Sequence, residues 1–435
     1  MGTEKFSVHR RHFLGIAAAL SAPLIIPRHV LGDEKTPSAN EKIVVGHIGI
    51  GKQMRGHVAA ATRSPKVKVV AVCDVDKTRR LAGKKQVDDA YHNNDCAAYD
   101  DYREMLARRD IDAIVCATPD HWHAMVILDT CKAGKDLYCE KPLTNNLMEA
   151  KRVMDRVGRS KIVFQVGSQQ RSSREFRYAC ELVRNGRLGK IKQVLVGVGG
   201  PPKPCHLPGE ELEPGLDWER WQGPAPARPY SSVLSPRGVH DHFPSWRAFC
   251  EYGGGGMTDW GAHHFDIAQW GLGMDHSGPV EIVPPADPKD LKAGRGVKYL
   301  YANGVEVIHG GPGGVTFVGE KGEIFVTRGK LTSKPDGIVK EPIGKNEIHL
   351  HPSGSHWQNW LDCIASRKKT ICPIEVGARS VAVCHLGNIA YLHAAELDGK
   401  SLKWDPQKWR FVGNDAANKW QNYPYPRRKG YELPT

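Results

Sequence analysis

From residue 43 onward, short apolar runs alternate with amphipathic or charged stretches. The run Ile43-Val-Val-Gly-His-Ile48 predicts a strand, and residues 55–64 predict a helix that begins in a glycine turn. Residues 67–72 form the next strand, which leads to Asp74, and 77–87 a charged helix. A short helix over 102–109, an apolar strand over 111–117 and a helix over 123–133 follow, then a strand at 137–139, a helix over 147–157 and a strand over 162–166. Strands that alternate with amphipathic helices predict a parallel sheet with helices on both faces. The pattern changes after Gly167. Residues 191–198 alternate as a longer strand, and 199–236 are rich in Pro and Gly with little regular patterning. Trp218, Trp221, Tyr230 and Trp246 lie in or near that stretch, which predicts an ordered loop over a site, since long irregular segments in compact domains are usually functional or disordered. After a helix, strands are predicted near Val280, Val297, Val305, Gly314 and Ile324. The Gly, Asn and Asp turns between them suit an antiparallel sheet. Helices over 356–366 and 376–396 precede a polar, aromatic tail expected to wrap the surface. The predicted organisation is thus a parallel α/β domain over 41–167, an α+β domain over 168–403 and an extension over 404–435.

The first 32 residues read as an address. Arg10-Arg11-His12-Phe13-Leu14 is a twin-arginine pattern, 15–26 is a short run of small apolar residues, and Val30-Leu31-Gly32 offers a cleavage site. The order matches a twin-arginine signal over 1–32, so a periplasmic or otherwise exported protein is expected. The run is too short to span a bilayer, and no membrane partner is expected once the signal is removed. A polar linker, 33–40, follows. The 435 residues are 40% hydrophobic and 25% charged, as in ordinary globular proteins. Part of the net charge of +13 sits in the termini, and no Lys/Arg block alternates with aromatics, so no nucleic-acid partner is expected. The excess suits acidic substrates or an anionic surface. The eleven cysteines include no Cys-x-x-Cys pair. Cys73, Cys116 and Cys139 fall in apolar strand-like runs, where cysteine acts as a small hydrophobe, so buried free thiols are expected.

Gly49-Ile50-Gly51 lies between a predicted strand and a helix. The first glycine permits a tight turn, and the second lets the backbone approach a pyrophosphate over the helix N-terminus. The third position of that fingerprint is Met54, with Gly56 two residues later. Asp74 ends the next strand, where a carboxylate binds a ribose hydroxyl and favours NAD; Arg79 and Arg80 keep NADP open. Thr118, Pro119, His121 and His123 follow the third long strand at the same sheet edge, as loop residues around the cofactor. Two histidines at this spacing raise a metal, but with no nearby Cys or carboxylate set to complete a ligand pattern, none is expected.

Lys141 stands in Cys139-Glu140-Lys141-Pro142, directly after a buried strand and therefore at the edge where open α/β sheets bind ligands. Asp259 and His263 lie in Gly253-Gly-Gly-Gly-Met-Thr-Asp-Trp-Gly-Ala-His263, with Thr258 as a helix cap and an i, i+4 spacing that puts both on one face. A neutral imidazole takes a proton from a hydroxyl as its carbon loses hydride; a nearby carboxylate orients the ring, and an ammonium stabilises the developing oxyanion. These residues supply parts for alcohol–ketone interconversion on a nicotinamide.

Gly49-x-Gly51, Cys139-Glu140-Lys141-Pro142 and Asp259-x-x-x-His263 together resemble the Gfo/Idh/MocA oxidoreductases. Gln165-Val-Gly-Ser-Gln-Gln-Arg171, Ser245-Trp246-Arg247, Phe317-Val-Gly-Glu-Lys-Gly322 and Asn359-Trp-Leu-Asp-Cys-Ile364 resemble the family's secreted branch. The resemblance implies a Rossmann domain followed by an α+β domain with a large open, mostly antiparallel sheet. It implies that Lys141 contacts nicotinamide and substrate, and that His263 is the acid/base with Asp259 beside it. Cofactor contacts are then expected from Gly49, Gly51, Met54, Arg55, Asp74, Thr118, Pro119, His121, His123, Glu140, Lys141 and Gln169. Arg171, Trp246, Arg247 and His264 are the candidate substrate contacts. The implied substrates are sugars, cyclitols and their derivatives. An exported enzyme meets no free NAD pool, so a redox-neutral cycle on tightly held NAD is the alternative: sugar–sugar oxidoreduction, or oxidation and elimination at a glycoside. A non-catalytic sugar-binding protein is a third. A broad sheet face needs cover, so a homo-oligomer is expected.

Overall fold

The computed structural model describes residues 41–287, 296–422 and 425–434; the expected signal at 1–32 lies outside them. The first part alternates β1 (Ile43–Ile48), α1 (Lys52–Arg63), β2 (Val67–Cys73), α2 (Lys77–Tyr91), β3 (Ala97–Tyr99), α3 (Tyr102–Leu106), β4 (Ala113–Cys116), α4 (Asp120–Lys132), β5 (Asp136–Cys139), α5 (Leu147–Gly158) and β6 (Phe164–Val166). The strands form one parallel six-stranded sheet in the order β3-β2-β1-β4-β5-β6. The chain leaves β1 in one direction and returns at β4 in the other. The carboxyl ends of these two strands therefore bound a crevice.

The second part runs α6 (Arg174–Arg184), β7 (Ile191–Gly197), α7 (Trp218–Gln222), α8 (Gly255–Asp259), α9 (Gly261–Leu272), β8 (Glu281–Val283), β9 (Lys298–Leu300), β10 (Glu306–Gly319), β11 (Gly322–Thr327) and β12 (Lys330–Lys334). It continues with α10 (His356–Ser366), α11 (Ile374–Leu392), α12 (Ala394–Leu397), β13 (Leu402–Asp405), β14 (Arg410–Phe411) and α13 (Asp415–Lys419). An eight-stranded sheet orders β12-β11-β10-β9-β8-β13-β14, with β7 on β10. Its pairings are antiparallel. Alternate residues of β10 and β11, such as Val315, Phe317, Ile324 and Val326, are fully buried, the period-two face that predicted this sheet.

Four local expectations change. Helix α4 starts at Asp120, so His121 and His123 stand in its first turns instead of a loop, and nearly all of that helix is buried. The helix expected to carry Asp259 and His263 together breaks at Trp260 into α8 and α9; Gly261, at the break, lets α9 approach α11 until an added Cβ would lie 3.0 Å from Cys384 Sγ. The tail begins inside β13, which pairs with β8, and its Trp404, Trp409 and Phe411 are core residues. Helix α10 returns to the first sheet, where Trp360 and Leu361 join the apolar cluster of Val45, Val69, Val115 and Tyr138. All eleven cysteines are free thiols, and only Cys205 is not buried. Among the described residues, no helix is long and apolar enough to cross a membrane.

Candidate active site

The crevice starts at the glycine turn. Gly49 has φ +84°, and a Cβ there would sit 2.8 Å from the Thr118 amide nitrogen. The left-handed backbone and the close approach of the chain after β4 both require glycine. Gly51 precedes α1 with open space on its Cβ side, so the helix N-terminus faces a cavity. Asp74 lines the same cavity, its carboxylate accepting the Ile50 amide at 2.6 Å and the Asp76 amide at 2.9 Å. Burial raises its pKa. An open glycine turn, amides at a helix start and a buried carboxylate on the next strand end fit the pyrophosphate and ribose of a dinucleotide. Thr118 and Pro119 line this cavity too.

A second cavity continues from the first, sharing Thr118, Trp246 and Arg247 with it. Glu140, just past β5, accepts from Gln53 at 3.0 Å and Gln169 at 2.9 Å and pairs with His57 at 2.8 Å. Burial alone would raise its pKa, but the His57 contact and the charge of Lys141 outweigh it and bring the carboxyl down to about 2. The Lys141 ammonium donates to Asp259 Oδ1 at 2.6 Å and to the Asp259 carbonyl at 3.0 Å. Asp120 is a further buried carboxyl here; burial pushes it up to about 7, the nearby Asp259 charge adding to the rise. Arg247 stacks 4.2 Å from the Trp246 ring centre, with its Nε 3.8 Å from Asp259.

His263 faces this cavity without the partner expected for it. The break at Trp260 and the pull of Lys141 take the Asp259 carboxylate away, and His263 Nε2 instead meets the Arg328 guanidinium at 3.1 Å. Arginine only donates, so Nε2 accepts and the proton resides on Nδ1. Nδ1 is buried with no hydrogen-bond partner among the described residues. Burial, then the Lys141 and Arg328 charges, hold the imidazole pKa well below its ordinary value. The ring is neutral.

The structure gives several of the expected contact residues other partners. Met54 is fully buried in the core between α1 and the sheet, so its side chain fills the space a glycine would leave there. Arg55 turns to the His240 carbonyl and to Asp241 at 2.8 Å. Arg171 is buried between Asp266 and Asp275, each at 2.7 Å, and holds the second domain together instead of reaching substrate. His264 turns towards the Gly197 carbonyl. His121 packs between Trp221 and Tyr252. The His123 ring spans the carbonyls of Pro142 and Thr118, at 2.7 and 3.0 Å, and so braces the Lys141 loop from behind. The fold also assembles a group that spacing did not show: Cys116, His123 and Cys139 bring three potential ligand atoms within 4.8 Å of one another. Both ring nitrogens of His123 are already engaged by carbonyls.

Other lining residues went unread. Gln53 and His57 sit i, i+4 on α1, directly after the glycine turn, a spacing that marks one helix face. Arg328, His356 and Trp357 come from distant elements with no local signal. The irregular segment, which runs on past residue 236, covers the first cavity, and only Phe243, Trp246 and Arg247 at its end reach the second. Leu234, His240 and Phe243 line the first, and Arg79 ties the segment down through the Ser235 hydroxyl at 3.1 Å and the carbonyls of Pro236 and Gly238.

Two family profiles match: "Oxidoreductase family, NAD-binding Rossmann fold" over residues 43–168 and "Oxidoreductase family, C-terminal alpha/beta domain" over 203–432. An alpha-N-acetylgalactosaminidase of Shewanella oneidensis is 29% identical over 208 residues, 42% of this chain and 44% of that enzyme. The chain thus spans less than half the length of this curated relative. Among solved structures, the WlbA dehydrogenase of Bordetella pertussis, in complex with NADH and UDP-GlcNAcA, has a TM-score of 0.56 at 19% identity over 84% of this chain and 99% of that one. The myo-inositol dehydrogenase of Lactobacillus casei, in complex with NAD(H) and myo-inositol, has a TM-score of 0.53 at 19% identity over 87% and 99%.

Proposed function

Because the chain belongs to the Gfo/Idh/MocA oxidoreductase family, with an NAD-binding Rossmann domain and a C-terminal alpha/beta domain, we propose that it interconverts a secondary hydroxyl and a ketone on a sugar, cyclitol or derivative. The observation that carries this reading is the Lys141–Asp259 pair, at 2.6 Å, in a cavity that also presents His263 and opens onto the glycine turn. A nicotinamide dinucleotide bound along the two cavities supplies the hydride acceptor or donor. Gly49, Gly51 and Asp74 would hold its pyrophosphate and ribose. Arg79 is spent on the covering segment, which supports NAD over NADP. Lys141 stabilises negative charge on the reacting oxygen, and Asp259 fixes where its ammonium points. His263 is the proton acceptor, since a neutral ring with its lone pair on Nε2 is the form that role requires. The test is reduction of added NAD by a panel of sugars and inositols. Lys141→Ala is expected to lower kcat by roughly 10²–10³-fold; unchanged turnover would remove Lys141 from the chemistry.

A second reading has its own support. The segment latched over the first cavity by Arg79, and by Arg55 through Asp241, favours a cofactor kept between turnovers, as a redox-neutral reaction needs. The likeness to a glycosidase and the Arg10-Arg11 export pattern point the same way, towards an exported enzyme that oxidises, eliminates and reduces back at a glycoside. Denaturing the purified protein and assaying for released nucleotide decides between them: one nucleotide per chain supports retention, and turnover only with added NAD overturns it. The open sheet of the second domain is proposed as a homo-oligomer contact, to be read by light scattering.

A further inference from the structure

Arg328 is the first of two turn residues between β11 and β12, whose ladder closes at Thr327 and Lys330. Gly329, with φ +72°, completes the turn, and its amide donates to Glu175 at 3.2 Å. The turn is therefore anchored to α6. From it the guanidinium reaches His263 Nε2 and rests 4.7 Å from the centre of the Trp260 ring.

Most other charges of this cavity have opposite partners, and Lys52 donates instead to the Asp241 carbonyl beside the Phe243 ring. Lys141 is held by Asp259, Arg247 lies near the same carboxylate, and Glu140 is held by His57. Arg328 forms no ion pair among the described residues; a neutral nitrogen and an aromatic face are its contacts. A planar guanidinium on a rigid turn, facing a cavity and lacking an anion, is suited to grip a carboxylate through two parallel hydrogen bonds. Its present bond also occupies the one lone pair of His263 that a hydroxyl proton would use.

We infer that the substrate is an acidic sugar, a uronic or aldonic acid, whose carboxylate binds Arg328 and draws it off His263 Nε2. The inference rests on the reading of this cavity as a hydroxyl–ketone site. A substrate without the acid leaves the guanidinium on the base, so Arg328 selects at binding and again at the proton transfer.

The test is titration calorimetry on the full chain with NAD present, using glucuronate, galacturonate and gluconate against glucose, galactose, glucitol and glucose 6-phosphate. At least one acid is expected to bind more tightly than its neutral counterpart. Arg328→Met should weaken that binding by roughly 10- to 100-fold, the loss for a charge-assisted pair. Arg328→Lys should recover part of it. Lys330→Ala, on the same hairpin with its ammonium over Phe325, should leave it in place. Neutral sugars that bind as well as the acids, an Arg328→Met protein that binds the acids like wild type, or Arg328 dependence confined to glucose 6-phosphate would each overturn the inference. Neutral sugars that reduce NAD while the acids neither bind nor react would sink it and leave the dehydrogenase reading standing. Arg328-dependent binding of an acid with no reduction of NAD would uphold the anion site and count against the dehydrogenase reading.

Discussion

Asp120 illustrates how one residue acquires a property its sequence neighbours do not hint at. In Thr-Pro-Asp-His-Trp-His it looks like a polar turn residue, yet it is 3% exposed and its carboxyl is pushed up to about 7 by burial. The folded state then holds a proton that the unfolded chain releases above its ordinary value of ~3.9. Its contribution to stability is full below about pH 4 and declines as pH rises through 7. Unfolding in urea at pH 5 and at pH 8 should therefore show a loss at the higher pH that Asp120→Asn reduces; an identical loss in the variant would place the titration elsewhere. The same substitution should remove an inflection near pH 7 from the pH profile of kcat/KM, since Asp120 lies in the electrostatic reach of Lys141.

At the level of elements, the glycine turn and the broken α8–α9 helix position the site. Gly49→Val is expected to forfeit nucleotide binding and to destabilise the first sheet, because the backbone is left-handed and the new side chain would strike the chain at Thr118. Fluorescence titration with NADH reads the first effect and thermal unfolding the second. The covering segment makes a separate prediction. Arg79→Ala removes its ties to Ser235, Pro236 and Gly238. Bound nucleotide should then leave faster in a dilution chase, while the chain folds as before. Equal release rates would mean that the segment covers the cavity without retaining anything.

Over the whole molecule, the first sheet depends on chain that is remote in sequence. Trp360 is fully buried against Tyr138 and the apolar strands, although six strands of the second sheet, β7 to β12, separate it from the first in the chain. Trp360→Ala should cost ~3–5 kcal/mol, as for other large core aromatics, and should lower the unfolding midpoint of the full chain. A truncation that ends before α10 should expose the face of Tyr138 and bind apolar dyes. A midpoint unchanged by Trp360→Ala would show that α10 is only loosely docked. Arg171 belongs to the same scale, since its two ion pairs join α9 to the loop after it and leave no free guanidinium for a substrate.

The alternation of apolar runs with amphipathic stretches was enough to read a parallel sheet followed by an antiparallel one, because side-chain periodicity reports which face of a strand or helix is buried. The glycine turn, Asp74 and Lys141 were equally legible, since each is tied to a strand end by a few neighbouring residues. Residue spacing misled where partners were chosen across the fold. Asp259 and His263 share a spacing that suits a pair, but Lys141, 118 positions upstream of Asp259, takes the carboxylate. Met54 stands where a glycine was expected because the core has room for its side chain, and Arg171 and His264 carry polar groups that other buried groups claim. Arg328 reaches the site from a hairpin turn with no sequence mark at all. Local pattern determined the elements and the edge of the sheet at which chemistry gathers; only the packing of distant elements decided which charges meet there, because a buried charge takes the partner that tertiary structure brings within reach.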